Sequence, residues 1–297
     1  MLFNNFPFWH KPNNKVSRRE FNKVMMKVKN IFLIVLLVTV ALSCKKEDAV
    51  MLPDVVKVPL LKGVKASGQP EFEYIYNNSR LVSDEKSKYS YTTHDYNEQN
   101  QLVTTDYFVN QTLLRSDQNV SDSVLNQLGL MNFVNTELGG TVRYEYNASG
   151  QLIKSIASRP SESTTEYSEF KYDDSKRIVR ELLYWDSKVL GYIDYSYDNR
   201  GNLIRETLYS ISSSGLAELN TTTQYEFDDK QNPFQSFKRL LSPGINTNPN
   251  NITKEIYTIH NGQDEATDFV QVTSITYAYS SQGYPVRRSG TIEYIYE

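Results

Sequence analysis

The stretch that decides the fold is Tyr195-Ser196-Tyr197-Asp198-Asn199-Arg200-Gly201-Asn202-Leu203-Ile204. Side chains alternate across a strand, so its two tyrosines share one face of a sheet. Asp198 suits the first position of a turn, and Gly201 suits the left-handed position that completes a three-residue hairpin loop. In that geometry Tyr197 lies opposite Leu203. The stretch therefore predicts a β-hairpin.

The same phrase recurs along the chain as two aromatic residues one apart, an Asp or Asn, a short gap and an apolar pair. Its further copies start at Tyr74, Tyr96, Tyr144, Phe170, Tyr225 and Tyr277. Glycine fills the left-handed turn position at Gly150 and Gly283, whereas Lys176 and Gln231 fit it poorly, so we expect those two turns to differ. Two strands per copy give about 14 to 18 strands. The pattern predicts an all-β domain, an antiparallel meander of hairpins that forms a curled sheet or a closed β-barrel.

The phrase resembles the YD repeat, the Tyr-Asp motif of the Rhs family of bacterial surface and toxin-shell proteins. It is also similar to small YD-repeat lipoproteins with no assigned function. The resemblance covers about residues 70–297 and rests on the recurrent pattern Y-[DN]-x-x-G-x-L-I. It implies a porin-like, barrel-shaped fold. Rhs proteins are far longer and carry a self-cleaving core segment that has no counterpart in this sequence, so the toxin-shell function is not transferred.

The N-terminal part of the chain predicts export and lipidation. Ile31 to Leu42 is an apolar run of 12 residues, too short to span a membrane comfortably and right for a signal-peptide core. The following Ser43-Cys44 completes a stretch that resembles a lipobox, in which Cys44, the one cysteine of the chain, receives the lipid. We therefore expect a signal region at 1–43, the lipidated cysteine and an extended linker at 44–70, and the β domain at 71–297.

The cellular location of the protein and its translation start each leave two alternatives open. A lipid on Cys44 predicts an outer-membrane anchor, on the cell surface or on the periplasmic face. Lys45 to Asp48 resembles the surface-export signal of some Gram-negative lipoproteins, or is a solvated tether. Met25 or Met26 would begin a complete signal peptide, which favours a mis-called start over residues 1–25. Against this, Ser17 to Lys23 resembles a twin-arginine export motif.

The chain after the signal region is acidic. Residues 1–43 carry seven of the 32 Lys and Arg and one of the 35 Asp and Glu, which leaves 25 basic against 34 acidic residues and a net charge of −9. All 22 tyrosines lie after residue 43. An acidic domain without a basic stripe is unsuited to the phosphate backbone, so the sequence predicts no nucleic-acid partner.

Two stretches depart from the strand pattern. Apolar residues at helical spacing predict a short helix or irregular insertion between Asp117 and Gly129. Ser242 to Asn251 is rich in turn-forming residues and predicts a long mobile loop. Between them, Ile178 to Tyr197 gives the clearest pair of strands, with Asp186-Ser187-Lys188 at the turn.

No motif for catalysis, a metal or a cofactor is present: the sequence holds no G-x-S-x-G, H-E-x-x-H or P-loop pattern. His94 beside Asp95 would suit a base and its orienter, but a histidine at a strand end is the commoner arrangement. The acidic pairs Asp173-Asp174 and Asp228-Asp229 offer calcium ligands, yet each occupies a hairpin turn and falls short of the oxygens that calcium requires. We therefore expect no enzyme, no metal site and no cofactor.

An alternative class is a hydrolase of an extracellular polymer. Two of the carboxylates Glu166, Glu169 and Glu181 would act as acid and base. Surface strands carry such residues routinely, and the sequence does not fix their separation. Neighbouring acids in a deep pocket would favour the enzyme, whereas a shallow face lined by rings would favour a binding protein.

Aromatic side chains are the best candidates for binding, because Tyr and Trp rings stack on sugars or fill a partner's pocket. The richest spot is Tyr184-Trp185, with Tyr192, Tyr195 and Tyr197 on the neighbouring strand. The alternative is that repeated tyrosine is the sheet's own packing, which we favour for most of them. The sequence thus predicts a lipid-anchored, non-enzymatic envelope protein that recognises a glycan or a protein, or serves as a scaffold.

Overall fold

The protein is described by a computed structural model that covers residues 59–110, 129–131, 136–160, 162–237, 243, 247–261 and 268–297. These residues form a 17-stranded antiparallel sheet, which confirms the all-β prediction. The strands are β1 (Leu61–Ala66), β2 (Gln69–Tyr76), β3 (Val82–Ser87), β4 (Ser90–Tyr96), β5 (Leu102–Val109), β6 (Glu137–Tyr146), β7 (Leu152–Ser158), β8 (Glu166–Tyr172), β9 (Ile178–Trp185), β10 (Lys188–Tyr197), β11 (Leu203–Ile211), β12 (Ala217–Gln231), β13 (Asn250–Ile259), β14 (Phe269–Ser274), β15 (Tyr277–Tyr279), β16 (Pro285–Arg288) and β17 (Ile292–Tyr296).

The strands follow one another as a meander. Each pairs antiparallel with the next from β1 to β14, and again from β15 to β17. β17 also pairs with β1, so the last strand lies beside the first. β14 pairs with β13, whereas β15, directly after it along the chain, pairs with β16. The other edge of β14 has no strand partner among the described residues, so the sheet is curled but not fully closed.

β1 lies within the stretch that the sequence assigns to the linker. Its residues pair with β17 on one side and with β2 on the other, from Leu61 to Ala66. The sheet therefore begins at Leu61 rather than at residue 71. This pairing joins the two ends of the described chain, and no local pattern in the sequence could have indicated it.

The repeated turn has the predicted geometry. The Asp198 N–H donates to the Asn202 carbonyl at 2.9 Å, and Gly201 has a φ of 90°. The Asp198 carboxylate accepts the N–H groups of Arg200 and Asn202, both at 2.8 Å. These hydrogen bonds, together with one from the Asn202 side chain, hold the pKa of Asp198 below its ordinary value although burial acts in the opposite direction. Tyr197 pairs with Leu203 in the ladder, as expected.

The turn at Lys176 does not differ from the others, so that prediction was wrong. Lys176 has a φ of 62°, and its N–H donates to the Asp173 carbonyl at 2.9 Å. The Arg177 N–H and guanidinium both donate to the Asp173 carboxylate, at 2.8 and 2.9 Å. These bonds offset the roughly 1 kcal/mol that a left-handed conformation costs a residue with a Cβ. At Gln231 the turn does differ, because this residue lies in β12 and pairs with Asn250.

In most copies the second tyrosine acts as a latch, because its hydroxyl bonds a main-chain carbonyl of the preceding strand; Tyr279 instead donates to the Asp228 carboxylate. The Tyr197 hydroxyl donates to the Ile178 carbonyl at 2.7 Å, and the Tyr172 hydroxyl donates to the Leu152 carbonyl at 2.8 Å. The same bond, at 2.6 to 2.8 Å, is made by Tyr76, Tyr96, Tyr146 and Tyr296. Phe227 has no hydroxyl to make it. These bonds give a physical reason for tyrosine rather than phenylalanine at this position of the repeat.

The core lies on one face of the curled sheet, here called the core face; the opposite face is the outer face. One cluster contains the first aromatic residues of several copies, with the leucines and isoleucines that follow the turns: Leu102, Val142, Tyr144, Leu152, Phe170, Ile178, Tyr195, Leu203, Tyr225 and Ile252. A second cluster packs Phe234 and Phe237, at the turn of 3-10 helix Pro233–Ser236, against Leu61 and Tyr74. The segment after β12 therefore fills part of the core.

The two irregular stretches have different outcomes. The helix predicted between Asp117 and Gly129 falls on residues 111–128, outside the described residues. The loop predicted from Ser242 to Asn251 ends sooner than expected, because Asn250 already begins β13. Asn248 is buried, and its side-chain oxygen accepts the Leu203 N–H at 2.6 Å. Within the described ranges, no helix is long and apolar enough to cross a membrane.

Candidate functional site

The five predicted binding residues lie on two different faces of the sheet. Tyr184 pairs with Tyr167, and Tyr192 pairs with Tyr209, on the outer face. The other three predicted residues point to the core face: Trp185, Tyr195 and Tyr197. Adjacent residues of a strand alternate in direction, which separates Tyr184 from Trp185. The sequence neighbours therefore do not form one site.

The first outer-face cluster is a row of one cation and two rings. The Tyr167 and Tyr184 rings are stacked, with centroids 4.4 Å apart and planes 9° from parallel. The Lys154 ammonium lies 3.9 Å from the Tyr167 centroid, and therefore on the side away from Tyr184, because β7 and β9 flank β8. The Tyr184 hydroxyl donates to Glu169 at 3.0 Å.

A second row repeats this arrangement on the next strands. The Tyr192 and Tyr209 rings are stacked with centroids 4.7 Å apart and planes 22° from parallel. The Arg180 guanidinium lies 4.2 Å from the Tyr192 centroid and donates two hydrogen bonds to Asp194, at 2.5 and 2.8 Å. These hydrogen bonds to Asp194 raise the pKa of Arg180. We call the two rows the tyrosine ladders.

The tyrosine ladders belong to one continuous surface. Leu182 lies opposite Tyr192, and Val189 lies opposite Tyr184, both on the outer face. All of these side chains are half-buried rather than covered. A half-exposed group of stacked rings and aliphatic side chains is the kind of patch that marks an interaction site.

The core-face tyrosines make a different set of contacts. The Tyr195 hydroxyl donates to Glu181 at 2.8 Å, and the Tyr225 hydroxyl donates to Glu206 at 2.6 Å. Burial raises the pKa of both phenols well above the ordinary value, so they stay neutral donors. Trp185 lies opposite the buried Glu166. Tyr195 and Tyr225 serve the packing and hydrogen bonding of the core, whereas Trp185 is half-buried.

The carboxylates proposed for a hydrolase do not form a pair. Glu169 lies on the outer face with Tyr184, whereas Glu166 and Glu181 are buried on the core face. Glu166 is opposite Trp185, four residues along β9 from Glu181. Four residues of a strand span about 13 Å, beyond the roughly 5 to 9.5 Å that separates a glycosidase acid from its partner. The geometry does not support this carboxylate pair.

The histidine and calcium alternatives also have structural explanations. His94 is buried, and its Nδ1 lies 3.1 Å from the Thr105 hydroxyl, while Asp95 points to the opposite face. Asp173 is bonded by Arg177, and Asp228 is bonded by Asn251 and by the Tyr279 hydroxyl. In the described part of the chain, no group of three or more His, Cys, Asp and Glu is placed to hold a metal ion.

One arrangement escaped the sequence analysis. The Thr222 hydroxyl lies 3.0 Å from His260 Nε2, and His260 Nδ1 lies 2.6 Å from the Asp268 carboxylate. This order would suit a nucleophile, its base and an orienting acid. Thr222 is only 3% exposed, however, so its hydroxyl is closed to a substrate. These hydrogen bonds instead hold His260, after β13, and Asp268, before β14, against β12. The three residues are far apart in the sequence, so they form no recognisable motif.

Comparisons with known proteins give remote likenesses. No family model matches the chain, and no curated protein matches it. A porin-like protein from Bacteroides uniformis is similar over 80% of this chain and 98% of its own, at 11% identity and a TM-score of 0.36. A porin-like protein from Bacteroides vulgatus is similar over 80% and 99%, at 10% identity and a TM-score of 0.36. The TcdB2–TccC3–Cdc42 structure is similar over 76% of this chain and 14% of its own, at 14% identity and a TM-score of 0.18. Likenesses this remote carry no argument about function, and membership of the YD-repeat proteins stays a prediction.

Proposed function

We propose that the protein is a non-enzymatic, lipid-anchored component of the bacterial outer membrane that recognises another envelope protein through the tyrosine ladders. The observation that carries the proposal is the pair of cation–tyrosine–tyrosine rows on the outer face. Tyrosine supplies large contact area at low cost in side-chain entropy and is enriched at binding hot spots.

The stacking favours a protein partner over a glycan. A sugar ring stacks on an open aromatic face, but both faces of Tyr167 are taken, one by Lys154 and one by Tyr184. Both faces of Tyr192 are taken in the same way, by Arg180 and Tyr209. Tyr167 and Tyr192 therefore offer only their edges to a partner. Ring edges and aliphatic side chains suit the apolar anchors of a protein interface better than a flat sugar.

The anchor and the location belong to the same proposal. Cys44 carries the lipid, the signal region is removed, and residues 44–60 join the anchor to β1. The lipid places the tyrosine ladders near the membrane surface, on the cell surface or the periplasmic face. Mass spectrometry of membrane-extracted protein tests this point, because an unmodified Cys44 would contradict the anchor.

The binding test uses the full-length protein in detergent. It is immobilised and exposed in parallel to a panel of purified envelope polysaccharides and to detergent-solubilised envelope proteins. Tyr184→Ala and Tyr192→Ala remove one ring of each ladder. Trp185→Ala is the matched control, because it removes a larger ring from the core face of β9, the strand that carries Tyr184.

We expect a protein ligand whose affinity falls at least about tenfold in Tyr192→Ala and is unchanged in Trp185→Ala, as truncation of a hot-spot residue predicts. Binding of a polysaccharide alone would contradict the choice of partner. Binding that Trp185→Ala abolishes, in a variant with an unchanged circular dichroism spectrum, would contradict the choice of face.

A further inference from the structure

One edge of β14 has no strand partner among the described residues, and it is the least protected part of the sheet. All six residues of Phe269–Ser274 are exposed, including Phe269 at 55%, Val270 at 54% and Val272 at 57%. β14 pairs with β13 in a regular register without a bulge. Natural edge strands are protected by lysine, proline, bulges or a covering segment, and β14 has no charged residue, proline or bulge.

The alternation of main-chain hydrogen bonds shows which residues of β14 face the unpaired edge. The Ile275 N–H donates to the Thr253 carbonyl on β13 at 2.8 Å. Hydrogen-bonded pairs recur at every second residue of an antiparallel ladder, so the odd-numbered residues of β14 direct their main chain towards β13. Val270, Val272 and Ser274 therefore direct their main-chain N–H and C=O groups to the other edge. Just beyond them, the Thr276 carbonyl on that same edge accepts the Ser289 N–H at 2.8 Å, where β16 begins to cover it.

We propose that this edge is an interface between two copies of the chain, in which β14 of one copy pairs antiparallel with β14 of the other. A free edge is completed by a second free edge, and among the described residues β14 presents one in each copy, so an isologous pair satisfies both at once. The strand has the sequence FVQVTS, and the absence of charge means that its two copies do not repel each other.

The geometry also limits the strength of this contact. A strand of six residues adds only a few main-chain hydrogen bonds and buries less area than a standard protein interface. The pair should therefore be in equilibrium with single copies, and a common membrane would favour it by keeping copies at high local concentration.

Sedimentation velocity of the full-length protein in density-matched detergent tests the proposal. We expect a concentration-dependent dimer whose dissociation constant rises at least about tenfold in Val272→Lys, since an edge lysine opposes strand addition. Val272→Thr retains the β-branched shape and should weaken the dimer much less. Leu216→Lys is the matched surface control, because Leu216 is 69% exposed on the β11–β12 turn, and it should leave the dimer unchanged.

A second readout locates the contact. In Val272→Cys protein we expect an intermolecular disulfide under mild oxidation, and in Leu216→Cys protein we expect none. A protein that stays monomeric at the highest concentration reached would overturn the proposal. A dimer that Val272→Lys leaves intact would also overturn it, because the contact would then lie elsewhere.

Discussion

The two faces of strands β8 to β11 use the same residue type in opposite ways. On the core face, Tyr195 is 6% exposed and donates to a buried carboxylate. On the outer face, three residues earlier in the chain, Tyr192 stacks on Tyr209 and remains half-exposed. Tyrosine can therefore be a structural donor or a surface ring within one strand. Its environment, set by the alternation of the strand, decides which role it takes.

The largest expected effect is alkaline unfolding, which acts on the buried phenols. Burial raises the pKa of Tyr172 and of Tyr257 to about 12, and raises that of Tyr195 well above its ordinary value. In the unfolded chain a tyrosine ionises near pH 10. The unfolded state then loses protons first, so this stability is complete below about pH 10 and is lost as the pH rises through about 12.

Absorbance at 295 nm and far-ultraviolet circular dichroism, followed together from pH 8 to 13, check this expectation. Ionisation of these phenols should be delayed beyond pH 10 and should coincide with loss of the β signal. A single smooth titration near pH 10 with an intact β spectrum would contradict the buried environment of these phenols.

Removal of a buried aliphatic side chain should have the next largest effect. Leu152 is fully buried in the first core cluster, so Leu152→Ala should lower the free energy of unfolding by about 2–5 kcal/mol. The neighbouring Ile153 is 40% exposed and gives the matched control. Denaturant unfolding of both variants measures the difference, and equal losses would mean that the assignment of faces on β7 is wrong.

Loss of a core-face hydroxyl should come third. Tyr195→Phe removes a donor from the Glu181 carboxylate, and a hydrogen bond to a charged group contributes about 1.5–3 kcal/mol. Tyr192→Phe removes a hydroxyl from the outer face but keeps the stacked ring, and should change stability by less than about 0.5 kcal/mol. Chemical denaturation of the pair measures both values, and a larger loss in Tyr192→Phe would reverse the comparison.

The smallest effect concerns the tyrosine latch. Tyr197→Phe removes the bond to the Ile178 carbonyl, which should cost about 0.5–1.5 kcal/mol. Phe227 occupies the same position of the repeat but has no hydroxyl. Phe227→Leu therefore removes a ring without removing a latch bond, and it serves as the control. Hydrogen exchange at residues near Ile178 should increase in Tyr197→Phe, and unchanged exchange there would mean that the bond does not hold the two strands together.

The sequence predicted the hairpin architecture because its signals are local. The spacing of Tyr195 and Tyr197, followed by Asp198 and Gly201, is enough to specify strand, turn and cross-strand pair. The turn at Lys176 was mispredicted because residue propensity was considered without the hydrogen bonds from Arg177 to the turn carboxylate. Local patterns thus give the turn, but contacts decide which residues it tolerates.

The candidate site was predictable only in part. Alternation along β9 could have separated Tyr184 from Trp185, but it does not say which of them faces the core. The stacking partners Tyr167 and Tyr209 lie on other strands, so their role depends on register. The contact of Thr222 with His260 and the free edge of β14 depend on tertiary structure, and no single stretch of sequence encodes either.

Covalent labelling of tyrosines, read by mass spectrometry on the full-length protein with and without solubilised envelope proteins, tests the division between the two faces most directly. We predict that Tyr184, Tyr192 and Tyr209 are labelled in the free protein and become protected by the partner. Tyr195 and Tyr225 should remain unlabelled in both samples. Labelling of Tyr195 as strong as that of Tyr192, or protection confined to core-face tyrosines, would contradict the account.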